Sequence, residues 1–78
     1  MTVYERITAI LKNRGVDTEN IDKDADFITS GIMDSMAFVN MLLEIENELG
    51  IEIDFANMDM GKIGSLNALA AYAESLTA

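Results

Sequence analysis

The chain is predicted to be all-α, a small four-helix bundle of three main helices and one short helix. Three observations carry that prediction. Apolar residues recur at helical spacing in three separate stretches, capping residues and glycines punctuate them, and no proline occurs in the 78 residues to interrupt a helix. Half of the residues are apolar, enough for a small core, and the length suits one domain spanning residues 1–78.

Thr2 and Glu5 fit a capping box, a hydroxyl followed three residues later by a carboxylate. Val3, Ile7, Ile10 and Leu11, with Tyr4 beside them, give one apolar face through to Arg14, and Gly15 is the expected terminator. From Val16 to Met33 the chain is acidic and lacks helical period. A connection this long in a compact domain is functional or pinned by side chains, and Val16, Ile21, Phe27 and Ile28 are the expected pins. The second helix is predicted from about Ser35 to Leu49, stopped by Gly50. After the apolar link Ile51–Glu52–Ile53, Asp54 caps a brief third helix expected over Phe55 to about Met60 and ended by Gly61. Ser65 caps the last helix, in which Leu66, Leu69, Ala73 and Leu76 share a face with Tyr72 alongside.

Composition excludes several functions. There is no cysteine and no histidine, so disulfides, thiolate or imidazole metal sites, and Ser-His-Asp or Cys-His catalysis are ruled out within the chain. Fourteen acidic against five basic residues give a net charge of -9. That balance disfavours phosphate-led nucleic-acid binding and adsorption to anionic membranes, and it suits partners with basic patches. The start of the chain lacks a charged segment followed by an apolar one, and no apolar run approaches the ~20 residues needed to span a bilayer. A cytoplasmic monomer without membrane insertion is expected.

Asp34–Ser35 stands where the long connection meets the second helix. The plain structural account is a helix cap, since both residue types are favoured there. The functional account is an attachment point for a phosphate-linked group, because a helix N-terminus offers unpaired N–H groups and a favourable dipole to anionic oxygens. At about 100° per residue, Phe38, Met41, Leu42, Ile45 and Leu49 fall within about 60° of one direction and form the core stripe. Met36, Val39 and Leu43 form a second cluster roughly 130° away, flanked by Asn40, Glu46 and Asn47. A small bundle cannot readily bury both faces, so this cluster is expected to stay exposed as a partner-docking surface. The alternative is a broad core face covered by the long connection. Asp22, Asp24 and Asp26 alternate as in the first half of an EF-hand, but Phe27 and Met33 stand where the loop requires Gly and a bidentate Glu. A solvated acidic loop is expected, and no resident metal.

Together these residues resemble the acyl carrier protein family, the phosphopantetheine-bearing carriers that include peptidyl and D-alanyl carriers. The resemblance runs through Phe27, Gly31, Asp34–Ser35–Met36, Val39 to Gly50, Ile51 and Ile53, then Ile63–Leu66 and Leu69–Tyr72. It implies that a phosphopantetheinyl transferase moves 4'-phosphopantetheine from coenzyme A onto the Ser35 hydroxyl, with Asp34 positioning the transferase's magnesium. The terminal thiol then carries an acyl or aminoacyl group between a loading ligase and downstream acyl-transferring enzymes with basic docking patches, and the carrier itself catalyses nothing. Met36, Val39, Asn40, Leu43 and Glu46 correspond to the family's partner-recognition positions. Two residues, Ile32 and Met33, separate Gly31 from Asp34, where common fatty-acid carriers have one; the longer spacing resembles D-alanyl carriers and specialised stand-alone carriers. Asn40 and Asn47 also replace carboxylates common in fatty-acid carriers. A carrier for an amino acid or specialised acyl chain is therefore the first expectation and a fatty-acid or polyketide carrier the second. An unmodified acidic helical interaction module is the alternative from another class.

Overall fold

Thr2 and Glu5 close their capping box in the computed structural model, which describes residues 1–57 and 59–77. The Glu5 N–H donates to Thr2 Oγ1 at 3.1 Å, and the Thr2 N–H donates back to Glu5 Oε1 at 2.9 Å. Helix α1 (Val3–Asn13) follows, burying Ile7, Ile10 and Leu11. Helix α2 (Ser35–Leu49) has the predicted limits and buries Phe38, Met41, Leu42 and Ile45. Gly50 ends it in the left-handed region at φ 66°, with its N–H on the Glu46 carbonyl. A Cβ there would meet nothing within 4 Å. Gly50→Ala is thus expected to cost about 1 kcal/mol through backbone strain alone, measured as a lower urea midpoint with an unchanged slope.

The third segment differs from expectation. Instead of one helix from Phe55 to about Met60, a 3-10 turn (Phe55–Asn57) is followed by a separate four-residue helix, α3 (Met60–Ile63). Each has its own aspartate cap. Asp54 Oδ1 accepts from the Asn57 N–H at 3.2 Å, and Asp59 Oδ1 accepts from the Gly61 N–H at 2.9 Å. Gly61 therefore lies inside α3 rather than ending it. Met58, within the predicted helix, lies outside the described residues. Helix α4 (Leu66–Thr77) starts as predicted, with Ser65 Oγ accepting from the Ala68 N–H at 3.2 Å. Leu66, Leu69, Ala70 and Ala73 are buried, but Leu76, on the last turn, is left 39% exposed rather than sharing the core face.

Helix α1 packs against both α2 and α4, and α3 packs against α4. Their apolar faces meet in one cluster, which Phe27 enters from the long connection with no exposed surface. Its ring lies 5.9 Å from that of Phe38, tilted by 43°. The other predicted pins, Val16, Ile21 and Ile28, are half-buried against the same cluster. The connection is also tied to the start of α4. The Phe27 N–H donates to the Gly64 carbonyl at 2.7 Å, the Asn67 N–H to the Lys23 carbonyl at 3.0 Å, and Asn67 Nδ2 to Asp24 Oδ1 at 2.9 Å.

The alternating aspartates are divided among separate tasks. Asp22 Oδ1 accepts from the Asp24 N–H, Asp24 from Asn67, and Asp26 Oδ1 from the N–H groups of Ile28 and Thr29. Among the described residues no three carboxylates converge on one point that could hold a metal ion. The backbone N–H groups of Thr29 and Ile28 hold the Asp26 carboxyl below the usual range. Asn57 does the same for Asp54, Thr2 for Glu5 and Asn20 for Asp17. All four are lowered on folding, so the unfolded chain binds more protons as the solution is acidified. Their contribution is complete above about pH 5 and is lost as pH falls through and below about 4. Thermal midpoints measured from neutral to acid pH are expected to fall in that window.

Candidate functional site

Asp34, not Ser35, caps α2. Its backbone is extended, its Oδ1 accepts from the Ala37 N–H at 2.8 Å, and its carbonyl accepts from the Phe38 N–H at 3.0 Å. Ser35 is consequently the first residue of the helix and faces solvent. Its hydroxyl makes no hydrogen bond among the described residues, and the N–H groups of Ser35 and Met36 have no protein acceptor there. The exposed hydroxyl thus sits beside two uncommitted donors at the positive end of a fifteen-residue helix. It is also the only side-chain hydroxyl between Ser30 and Ser65.

The cluster predicted to stay outside the core does so. Met36 is 74% exposed, Leu43 49% and Val39 39%, on a face that also exposes Asn40 and Asn47. Glu46 flanks this face but has an internal task. It is half-buried, and its Oε2 accepts from the Ile53 N–H at 2.7 Å, holding the link after Gly50 against α2. The neighbouring acid, Glu44, points toward α1, where the Arg14 guanidinium lies 2.7 Å away. Arg14 also donates to the Asn40 carbonyl at 3.3 Å, and Arg6 donates to the Glu48 carbonyl at 2.6 Å. These two arginines, given no role by the sequence pattern, tie α1 and its C-cap to α2. Arg6 lies on α1 and Arg14 is its C-cap; the bonds to Glu48 and Asn40 end on backbone carbonyls, which no residue pattern reveals.

A family model described as "Phosphopantetheine attachment site" matches residues 5–73. The chain belongs to the acyl carrier protein family. It is 32% identical over 77 residues to the D-alanyl carrier protein of Latilactobacillus sakei, covering 97% of this chain and 99% of that one. D-alanyl carrier protein 2 of Lactiplantibacillus plantarum is 36% identical over 75 residues, covering 95% and 92%. The acyl carrier protein of Thermotoga maritima is 26% identical over 73 residues, covering 92% and 88%. This carrier accordingly has 4'-phosphopantetheine as its covalent cofactor. Ser35 has the chemistry such a linkage needs: a solvent-facing hydroxyl free of internal hydrogen bonds, with adjacent N–H groups able to meet phosphate oxygens.

Proposed function

We propose that Ser35 bears the phosphopantetheine arm and that residues 1–78 act as one non-catalytic carrier domain in the cytoplasm. The observation that carries this reading is the exposed, unbonded Ser35 hydroxyl at the first position of α2. In the modification, Ser35 Oγ would form a bond to the phosphorus bearing the pantetheine group of coenzyme A. The bond to the nucleotide portion breaks, and the serine proton passes to the transferase. Once attached, the arm supplies a terminal thiol that holds the carried group as a thioester.

Asp34 serves two ends. Its Oδ1 is committed to the cap, while Oδ2 accepts no hydrogen bond among the described residues and can orient the transferase's magnesium. Asp34→Asn keeps a capping oxygen and removes the charge. It is expected to change stability by only a few tenths of a kcal/mol while slowing modification about 10–100-fold. Parallel denaturation and modification kinetics separate the two contributions.

An aminoacyl cargo is the favoured one, D-alanyl-like in class. It is supported by the relatives that bear that name and by the two-residue spacing from Gly31 to Asp34. A fatty-acyl or polyketide cargo is the second reading, supported by the acyl carrier protein of Thermotoga maritima. In either case an adenylating or acyl-transferring ligase would load the thiol, and tethering would raise the effective concentration of the cargo at downstream enzymes. The test is intact-protein mass spectrometry after incubation with coenzyme A, magnesium and a broad-specificity phosphopantetheinyl transferase. A gain of one phosphopantetheine group is expected. An unchanged mass would leave the unmodified interaction module as the better account.

A further inference from the structure

Of the three alternating aspartates, Asp26 organises the backbone that leads into α2. It is half-buried, and its Oδ1 accepts from the N–H groups of both Ile28 and Thr29 at 2.9 Å. Its carbonyl accepts from the Ser30 N–H at 3.1 Å, and the Ile28 carbonyl accepts from the Gly31 N–H at 3.1 Å. Asp26 thus caps a single turn as it would a helix, and Gly31 closes that turn in the left-handed region at φ 81°. The chain then comes back on itself. The Met33 N–H donates to the Phe27 carbonyl at 3.0 Å, while the Phe27 N–H is fixed on the Gly64 carbonyl. Ile32 and Met33, the two residues between Gly31 and Asp34, are half-buried against the core.

This closed loop hands the chain to Asp34 and Ser35. The first turn of α2 has few apolar contacts of its own: Ser35 and Met36 are exposed, Ala37 is half-buried, and no residue of the helix is buried before Phe38. Helix ends held by few apolar contacts open locally at small cost. On the carrier reading above, we propose that the Asp26 carboxylate is a positioning residue for modification of Ser35, acting through the capped turn and the bond from Met33 to Phe27. With the turn intact, Asp34 keeps its extended backbone and its cap, and the Ser35 hydroxyl meets the transferase in a fixed position. With the turn loosened, the hydroxyl is spread over several positions, and misplacing a reacting group by about 1 Å can cost about 100-fold in rate.

The probe is a broad-specificity phosphopantetheinyl transferase with coenzyme A and magnesium, and the rate is read as mass gain by the intact chain. Asp26→Ala removes the cap but leaves the exposed side chains around Ser35 unaltered. It is expected to lower kcat at least about tenfold with KM changed by less than about threefold. Asp26→Asn keeps an acceptor for the same two N–H groups and is expected to hold kcat within about twofold of the unaltered chain. Asp22→Ala is the charge control, removing from the same connection a carboxylate whose Oδ1 accepts from the Asp24 N–H. It should also leave kcat within about twofold. Far-UV circular dichroism checks that each variant is folded at the assay temperature. If Asp26→Ala is not, Asp26→Ser, whose shorter side chain can accept from one of the two N–H groups, replaces it, with kcat expected to fall at least about threefold. A normal kcat for folded Asp26→Ala or Asp26→Ser would overturn the proposal. So would Asp26→Asn or Asp22→Ala slowed as much as Asp26→Ala. Absence of any mass gain with the unaltered chain would instead remove the carrier reading on which the proposal rests. Amide hydrogen exchange at Met33, expected to be about tenfold faster in Asp26→Ala than in the unaltered chain, reports on the turn by itself, and an unchanged rate there would overturn its part in the proposal.

Discussion

Ser35→Ala is expected to abolish attachment of the phosphopantetheine arm while leaving the fold intact. The hydroxyl is exposed and takes part in no hydrogen bond among the described residues, so removing it breaks no internal contact. The helix cap is supplied by Asp34 and survives the change, and alanine is the best helix former at the vacated position. Stability should therefore move by no more than about 0.5 kcal/mol, as for surface substitutions away from special features. The effect on modification should be complete. The first serines to either side of Ser35 in the sequence are Ser30, in the connection before α2, and Ser65, whose Oγ is engaged in capping α4. Intact mass and thermal unfolding, measured on the same preparation, check both halves of the expectation.

Phe27→Ala is expected to have the largest effect on stability. The side chain is wholly buried, packs against the Phe38 ring, and anchors the long connection to the cluster shared by all the main helices. Its backbone adds two further ties, through its N–H to the Gly64 carbonyl and its carbonyl to the Met33 N–H at 3.0 Å. Replacing a buried phenylalanine by alanine costs about 3–5 kcal/mol, the lost transfer energy plus an unfilled cavity. A domain of this size has a total stability of about 4–12 kcal/mol, so the variant should be partly unfolded under mild conditions. Loss of the anchor would also free the segment that delivers Asp34 and Ser35 to the start of α2. Phe55→Ala is the control. That ring is 36% exposed in the 3-10 turn, and its removal should cost far less. Urea denaturation of the two variants makes the comparison directly.

Helices α1 and α2 could be read to within a residue or two because their ends are written in local chemistry. Thr2 with Glu5, Asp34 and Gly50 act on backbone groups a few positions away. The exposed cluster of Met36, Val39 and Leu43 was legible for a related reason. A helix in a bundle this small has room to bury one stripe, and Phe38, Met41, Leu42 and Ile45 already fill it. The split third segment was harder because Asp54 and Asp59 both offer good caps, and local sequence does not say that each starts its own turn. The resemblance makes Glu46 a partner-recognition position, and its internal task is invisible from helical position alone. Its bond to the Ile53 N–H depends on the chain reversing at Gly50 and returning along α2. The ties from Phe27 and Lys23 to Gly64 and Asn67 run largely through backbone atoms, which leave no mark on composition or periodicity.

The central claim is that one solvent-facing oxygen at the mouth of α2 receives the arm. Proteolysis of the modified chain followed by fragment-ion mass spectrometry tests it at single-residue level. The arm is expected on Ser35 alone; finding it on Ser30, Ser65 or any other hydroxyl would contradict the account.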